Sequence, residues 1–288
     1  MICENPGSVF AADHAQKLEM IFSLGPKATS AGFRLAAFDQ VGSTNTEAMA
    51  RARDGERGPM WFVTTEQTSG RGRRQRAWVA PRGNLASSVL EVMDVSPATA
   101  ATMGFAFGLA HAAALQRVSV EANLRLAGPD QLSYLLKWPN DVMVRGQKLC
   151  GLLVEAEAVA GGLAVVAGIG TNIIAAPEGT PTPATSLNAL GVHVGAEELF
   201  MALSDAWVEF RGIWDNGRGF HEIRTAWLER AFGVGERVAI QVGAGTVEGT
   251  FDTIDETGCL IVRTAEGKRM PITAGEVYFG TAASVGAS

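Results

Sequence analysis

The sequence predicts an α+β protein with a mixed, mainly antiparallel sheet, packed helices and a small C-terminal β-barrel. Strand-like and helix-like runs follow one another between residues 33 and 232. The longest apolar region, Gly151 to Ala176, contains two glutamates and is split by Gly161-Gly162, which favours a hairpin over a membrane span. From Gly235 onward, short strands alternate with turns, a pattern typical of a small barrel.

Residues 1–32 are predicted to be an N-terminal extension, and residues 33–232 are predicted to form the larger domain. One short helix before Gly25-Pro26 is indicated by the apolar residues Leu18, Ile21, Phe22 and Leu24. Strands of the larger domain are predicted from short β-rich apolar runs. These runs are Phe33–Phe38, Trp61–Thr65, Leu85–Met93, Leu132–Lys137, Val142–Arg145, Leu149–Glu157 and Leu163–Ile169.

Helices are predicted where apolar residues recur three or four positions apart. The first follows Ser43 or Thr44, either of which can cap it with a side-chain oxygen. The predicted helices are Thr46–Arg53, Thr99–Ala114, Ala196–Trp214 and Phe220–Ala231.

The C-terminal part, residues 233–281, is predicted to be the small barrel. Turn residues at 255–258 and 265–267 separate its short strands. The strands are Arg237–Val242, Thr246–Ile254, Cys259–Arg263 and Lys268–Ile272.

Composition limits the classes of function. Of 288 residues, 47% are apolar and 19% charged, which suits a folded protein with a sizeable core. The net charge of −6 argues against a nucleic-acid footprint over the whole protein. Cys3, Cys150 and Cys259 are far apart and form no metal spacing, and the N-terminus does not resemble a signal peptide. We therefore expect a cytoplasmic protein with free thiols.

One predicted loop combines glycines, arginines and a tryptophan in the segment Gly70-Arg71-Gly72-Arg73-Arg74-Gln75-Arg76-Ala77-Trp78. Glycines let backbone N–H groups approach an anion, and guanidinium groups bind phosphate or carboxylate in pairs. The indole can stack on a base or cover an apolar ligand. Taken alone, the loop is also compatible with a solvated basic segment or a nucleic-acid-binding patch.

A second segment, Lys137-Trp138-Pro139-Asn140-Asp141, lies between two predicted strands. Its Asn–Asp pair can offer oxygen ligands to Mg²⁺ or bind a nucleotide, although Pro-Asn-Asp is also ordinary turn chemistry. A third segment begins at Lys148, which opens the apolar strand leading to Glu155. This ammonium would lie either at the mouth of a pocket or in solvent.

Together these segments resemble the biotin–protein ligase family. The GRGRRxRxW loop is complete at 70–78, KWPND at 137–141, and KxxGxLxE at 148–155. Three shorter matches keep the family's order: Ser43-Thr44-Asn45, Gly83-Asn84-Leu85, and Gly168–Asn172 as GIGxN. The resemblance covers roughly residues 35–275. It implies a class II synthetase-like catalytic domain with an SH3-like C-terminal barrel.

The resemblance also implies a reaction and its substrates. ATP and biotin would form biotinyl-5′-AMP with Mg²⁺, and the biotinyl group would pass to a lysine of a biotin carboxyl carrier protein. The implied catalytic residues are Lys148, Arg71, Arg73 and Asp141, with Asp141 also a candidate Mg²⁺ ligand. The implied biotin-binding residues are Ser43, Thr44, Asn45, Gln67, Arg71, Gly72, Arg73 and Lys148. The implied ATP- and adenylate-binding residues are Arg73, Arg74, Arg76, Trp78, Asn140 and Asn172.

Some family members carry an N-terminal DNA-binding domain. About 40 residues precede Ser43, fewer than the roughly 50 that a domain normally needs, so we expect the form without DNA binding. Gln75 stands where some relatives have glycine. No membrane association is expected, and the sequence leaves a homodimer open. The rival functions are lipoate–protein ligase, which shares the catalytic fold, and a non-enzymatic nucleic-acid-binding module.

Overall fold

A central sheet of seven strands and a second sheet of five strands form the framework. The computed structural model describes residues 22–126, 132–180, 182–243 and 245–279. In the larger sheet the order is β1-β2-β3-β7-β6-β5-β4. Only the β1–β2 pair is parallel there, and the other neighbours are antiparallel. The predicted α+β class with a mainly antiparallel sheet is confirmed.

The bounds of the strands in the larger sheet agree with most of the predicted runs. Its strands are β1 Arg34–Phe38, β2 Met60–Thr64, β3 Leu85–Met93, β4 Leu135–Lys137, β5 Asp141–Val144, β6 Gln147–Val159 and β7 Gly162–Thr171. The helices are α1 Pro26–Ser30, α2 Thr44–Arg53, α3 Pro97–Leu126, α4 Ala196–Trp214 and α5 Phe220–Leu228. Strand β4 begins three residues later than predicted, although Leu132 and Tyr134 are buried.

Helix α3 is much longer than the predicted Thr99–Ala114. Its apolar spacing continues through Leu115, Val118 and Ala122, which are all buried. Among the described residues, the segment Pro97–Ala122 is long and apolar enough to cross a membrane, yet most of it is buried within the protein. Burial against the sheet and α4 accounts for this composition, because a core helix is apolar on most of its surface.

Aromatic side chains join the sheet to α3 and α4. The Trp61 ring on β2 lies 6.0 Å from Phe107 on α3 and 5.4 Å from Phe200 on α4. Phe107 meets Trp207 edge to face at 5.4 Å. Each of these rings is fully buried, so β2, α3 and α4 share one core on this face of the sheet.

The end of the N-terminal extension packs on α4. Leu18 and Ile21 lie outside the described residues, whereas Phe22 and Leu24 are described and are not helical. The helix instead begins at Pro26, because proline suits the first helical position, where no N–H partner is needed. The Asp205 carboxylate accepts hydrogen bonds from the N–H groups at the start of α1.

The second sheet is formed by β8 Arg237–Val242, β9 Gly245–Ile254, β10 Leu260–Arg263, β11 Arg269–Ile272 and β12 Glu276–Phe279. Its order is β11-β10-β9-β8-β12, and all its pairs are antiparallel, as expected for the C-terminal part. Strand β12 was not predicted. Its position depends on pairing with β8, which is 34 or more positions earlier in the chain and which local spacing does not reveal.

The two sheets are in direct contact. The Trp138 indole N–H donates to Gly258 O at 3.0 Å, and the Phe232 ring lies 4.8 Å from Phe279. Leu136 exchanges backbone hydrogen bonds with Arg230 and Phe232, beside the start of the second sheet. These contacts hold β12 near β4 and β5.

A buried histidine connects α3 to the strands that carry two predicted motifs. His111 Nε2 lies 2.9 Å from Thr171 Oγ1 on β7 and 3.3 Å from Cys150 Sγ on β6. Burial lowers the pKa of His111 to about 3, so the imidazole is neutral in the folded protein. The sequence offered no sign of this contact, because its three members are separated by 39 and 60 positions.

His111 should therefore make folding stability sensitive to acid. Because its pKa falls from 6.5 to about 3 on folding, its contribution is present above pH 6.5 and lost as pH falls toward 3. The loss is about 1.4 kcal/mol per pH unit, since only the unfolded chain takes up the proton. Urea unfolding at pH 7, 6 and 5 should show a shallower acid decline for His111→Gln than for the wild type. Parallel declines would contradict this assignment.

Candidate active site

A single cavity brings the predicted site residues together. Its volume is about 380 Å³, within the usual range for small-molecule sites. It lies between the ends of β5, β6 and β7, the loop of residues 70–78 (the arginine loop) and the β12 end of the second sheet. Every residue that the sequence assigned to the site lines it: Ser43, Thr44, Asn45, Gln67, Arg71, Gly72, Arg73, Arg74, Arg76, Trp78, Asn140, Asp141, Lys148 and Asn172.

One end of the cavity is lined by buried uncharged polar groups at the start of α2. Ser43 caps the helix by accepting from the Thr46 N–H at 3.5 Å. The Thr44 N–H donates to Gln67 Oε1 at 2.9 Å, which joins the helix to the loop after β2. Ser88 Oγ lies 2.7 Å from Thr44 Oγ1 and 2.6 Å from Asn45 Oδ1. These contacts hold the Ser-Thr-Asn segment in one arrangement.

The amide of Asn45 is also tied to β6. Its Nδ2 group donates to Glu155 Oε2 at 2.8 Å and to Leu153 O at 3.2 Å. A Cβ at Gly168 would collide with Asn45 Oδ1, so the first glycine of the GIGxN segment makes room for this amide. Asn45 therefore both lines the cavity and joins α2 to β6 through buried hydrogen bonds.

The arginine loop closes on itself. The Trp78 N–H donates to Gly70 O at 2.9 Å, and the Gly72 N–H donates to Arg76 O at 2.7 Å. Between these bonds Arg74 and Gln75 have φ values of 55° and 59°, in the left-handed region. Glycine adopts that region at little cost, which explains why it suits the position that Gln75 occupies.

Each arginine of the loop has a partner in the structure. Arg71 Nη2 lies 3.3 Å from Glu155 Oε2 and 3.0 Å from Thr46 Oγ1. Arg73 Nη1 donates to Asn140 Oδ1 at 3.3 Å and to Gly275 O at 3.4 Å. Burial and the neighbouring Arg74 lower the pKa of Arg73, although a guanidinium remains charged at neutral pH.

The second sheet contributes a carboxylate to the loop. Glu276 Oε1 lies 3.2 Å from Arg74 Nη1 and 2.6 Å from Arg76 Nη2, and its other oxygen accepts from the Tyr278 hydroxyl. Burial favours the neutral acid, but the Tyr278 hydroxyl and the Arg76 guanidinium hold the pKa of Glu276 below its usual value. Glu276 is therefore ionised and anchors two arginines at neutral pH.

The Trp78 indole lies over two glycines of the β6–β7 hairpin. A Cβ at Gly170 would collide with its indole, and a Cβ at Gly151 would lie 3.0 Å from the ring. These two glycines are register partners on β6 and β7. The Lys148 Nζ atom lies 5.5 Å from the centre of the indole, so the ammonium is next to the Trp78 ring.

Lys148 makes an ion pair with Asp141, in which Nζ and Oδ1 are 2.6 Å apart. A bulge between Val142 and Met143 brings the KWPND turn and the start of β6 together. Asn140 Nδ2 donates to Leu152 O at 2.7 Å, so the same turn is bonded to β6 again. The two motifs thus meet because their strands are neighbours in the sheet.

Asn172 follows β7 and is almost fully buried. Its Nδ2 group donates to Thr185 O at 3.1 Å, whereas its Oδ1 has no hydrogen-bond partner among the described residues. A buried acceptor without a partner is costly, so a ligand that donates here would be favoured.

Positive charge dominates the cavity. Six cationic side chains and two carboxylates line it, an excess of four positive charges. The cations are Arg71, Arg73, Arg74, Arg76, Lys137 and Lys148, and the carboxylates are Asp141 and Glu276. Such a cavity suits a polyanionic ligand. In the part of the chain that the structure describes, no cluster of three metal-ligating side chains occurs.

Sequence reasoning missed several side chains of the site. Glu155 lies inside the KxxGxLxE match, and that match was the available signal. Ser88, Lys137 and Glu276 gave no separate signal. Ser88 is one serine within a strand, Lys137 lies in a segment with ordinary turn chemistry, and Glu276 reaches the loop from a strand 202 positions away in the chain.

Comparison with known proteins agrees with this geometry. The family model of the Biotin/lipoate A/B protein ligase family matches residues 38–172, and that of the Biotin protein ligase C terminal domain matches residues 233–280. A biotin--[acetyl-CoA-carboxylase] ligase of Paracoccus denitrificans is 37% identical over 83% of this chain and 97% of its own length. The Mycobacterium tuberculosis enzyme of that name is 34% identical over 83% and 86%.

The fold is also similar to that of a solved biotin protein ligase. The solved structure of a biotin protein ligase from Aquifex aeolicus, in complex with biotin and ATP, matches with a TM-score of 0.67. It is 24% identical, and the match covers 86% of this chain and 98% of that one. Both relatives carry the name of a biotin ligase, and the C-terminal match is to a domain described as that of biotin protein ligases. The chain therefore belongs to the biotin/lipoate protein ligase family, and within it to the biotin protein ligases.

Proposed function

We propose that this protein activates biotin with ATP to form biotinyl-5′-AMP and then transfers the biotinyl group to a lysine of a biotin carboxyl carrier protein. The observation that carries the proposal is one cavity with uncharged polar groups at one end and six cations along the rest. A neutral ureido ring suits the first part. A carboxylate and a triphosphate suit the second.

In the first step, an oxygen of the biotin carboxylate attacks the α-phosphorus of ATP. The new O–P bond replaces the bond to the bridging oxygen, and its electron pair leaves with pyrophosphate. The carboxylate is already ionised at neutral pH, so no general base is needed. The obstacle is the approach of two anions, which Lys148, Arg71 and Arg73 offset. One cation 4 Å away supplies about 4 kcal/mol at an effective dielectric constant of 20.

We assign the remaining lining residues by position. Ser43, Thr44, Asn45 and Gln67 would face the ureido ring, and Gly72 would let the loop backbone approach the ligand. The adenylate would be held by Trp78, Asn140 and Asn172, whose free Oδ1 supports that assignment. Arg74 and Arg76 would meet the phosphates after leaving Glu276.

Mg²⁺ would arrive with the phosphates of ATP. Asp141 is the carboxylate beside Lys148, and Mg²⁺ commonly binds one or two carboxylates together with substrate phosphates. When bound there, the ion would neutralise phosphate charge. To bind the ion, Asp141 would have to leave its partner Lys148, so the ion pair and the Mg²⁺ contact compete for the same carboxylate.

In the second step, the acceptor lysine attacks the mixed anhydride and AMP leaves. The amine has a free pKa of about 10.4, so it must lose a proton before it attacks. Asp141 pairs with Lys148 beside the proposed reaction centre and is suited to accept that proton. We therefore assign Asp141 to the transfer step.

The acceptor follows from the relatives, whose names identify them as ligases of acetyl-CoA carboxylase. We propose a cytoplasmic setting, where such an acceptor and free thiols like Cys150 and Cys259 occur together. A DNA- or RNA-binding role is disfavoured by the net charge of −6, because a nucleic-acid footprint is normally basic. A homodimer remains a prediction.

The proposed activity is tested by ATP–pyrophosphate exchange with biotin and with lipoate, measured side by side. We expect exchange with biotin and little with lipoate. Exchange with lipoate alone would replace this proposal with the lipoate ligase alternative. Absence of exchange with both, together with salt-sensitive nucleic-acid binding, would support the non-enzymatic module.

In the same assay, Lys148→Ala should lower biotin-dependent exchange by at least about a hundredfold, as for other electrostatic contacts to a transition state. The matched control is Lys268→Ala, which removes an exposed lysine from a turn of the second sheet. It should keep wild-type exchange. Near-normal exchange by Lys148→Ala would remove Lys148 from the catalytic residues.

The role of Asp141 is tested by giving chemically prepared biotinyl-AMP to the protein with an acceptor carrier protein. Asp141→Asn should slow this transfer by about a hundredfold, the usual size of a lost general base. It should reduce exchange less, because the amide keeps an oxygen for Mg²⁺. The exposed Asp94→Asn is the control. A larger loss of exchange than of transfer would assign Asp141 to Mg²⁺ instead.

The arginine loop should become more ordered when the intermediate forms. Closure would exclude water from the anhydride, which otherwise hydrolyses. Trypsin should therefore cut at Arg71–Arg76 more slowly in the presence of biotin and ATP than in their absence. Equal cutting rates in the two conditions would show that the loop does not close on the ligand.

A further inference from the structure

Lys137 is a buried ammonium without a carboxylate partner. It ends β4, lines the cavity and is only 9% exposed. Its Nζ atom lies 5.7 Å from the centre of the Phe279 ring, and no described carboxylate is within 4 Å of it. A buried charge without a counter-charge is destabilising, so its presence calls for an explanation other than folding.

The neighbouring carboxylates are already engaged. Lys137 is the register partner of Asp141 across β4 and β5, so the two side chains lie on one face of the sheet. Asp141 nevertheless pairs with Lys148 at 2.6 Å. Glu276, the other carboxylate of the cavity, is shared by Arg74 and Arg76. The described part of the chain therefore leaves Lys137 to be neutralised by a ligand.

The electrostatics point the same way. Burial lowers the pKa of Lys137, the Asp141 carboxylate raises it, the Lys148 ammonium lowers it and the Glu276 carboxylate raises it. A bound anion beside Nζ would favour the charged form and relieve the repulsion between the two lysines.

We propose that Lys137 binds the pyrophosphate portion of ATP and stabilises inorganic pyrophosphate as it leaves. This proposal rests on the function proposed above. In that reaction Lys148, Arg71 and Arg73 meet the carboxylate and the α-phosphate. Lys137 ends β4 and Lys148 lies on β6, with β5 and its Asp141 between these strands, so we assign Lys137 to the pyrophosphate end of ATP.

The chemistry of the step explains why a cation belongs there. When the bond between the α-phosphorus and the bridging oxygen breaks, its electron pair and the negative charge pass to pyrophosphate. An ammonium fixed beside that oxygen stabilises the leaving group more than the intact triphosphate. The Phe279 ring and the β-sheet hold the lysine in place before the ligand arrives.

The test uses the full-length protein and measures inorganic pyrophosphate binding by calorimetry, which requires no catalysis. Lys137→Met should weaken this binding by at least about tenfold, the value of one charge-assisted contact. Lys137→Arg keeps the charge and should retain most of the affinity. Lys268→Met removes an exposed lysine and should bind like the wild type.

Two further measurements separate this role from a structural one. Lys137→Met should melt without ligand at the wild-type temperature or above, because it removes an unpaired buried charge. It should also transfer biotin from added biotinyl-AMP at the wild-type rate. Loss of the folded state, equal pyrophosphate binding or an equal loss of transfer would each overturn the proposal. Failure of the wild type to adenylate biotin would overturn the proposed function, while the binding measurement would still decide the assignment of Lys137.

Discussion

Repulsion among six cationic side chains in one cavity is the constraint on which the site depends. Carboxylates from three separate strands relieve part of it: Glu155 on β6, Asp141 on β5 and Glu276 on β12. Each holds a cation at a defined place without cancelling the excess. The positive charge that remains is suited to a carboxylate and a triphosphate, which a neutral cavity would bind only weakly.

The central hairpin of β6 and β7 gives the cavity its shape. Gly168 leaves space for the Asn45 amide, and Gly170 leaves space for the Trp78 ring. These positions lie two residues apart on β7, so they point to the same face of the sheet. One strand face therefore receives the polar end and the aromatic end of the site side by side, while the opposite face packs on α3.

The C-terminal sheet is part of the site rather than an appended unit. Glu276 and the Gly275 carbonyl contact three arginines of the loop, and Phe279 lies against Lys137. Movement of this sheet relative to the central one would change the arginine loop and the cavity together.

Much of the fold could be predicted from local pattern. The bounds of α4 and β3 were predicted correctly, and the split apolar region proved to be the β6–β7 hairpin. Helix α3 was predicted too short and β12 was missed. Spacing along the chain reveals a buried face but not the partner of a strand, and β12 is placed by its pairing with β8.

The sequence by itself identified the candidate site residues, through motifs that resemble those of a family, and each of those candidate residues lines one cavity. Only the tertiary structure decided how they are paired. The ion pairs of Glu276, the hydrogen bonds of Ser88 and the contact of Lys137 with the Phe279 ring each join positions far apart in the chain. Such contacts depend on which strands become neighbours, and that is settled by packing of the whole core rather than by any local run of residues.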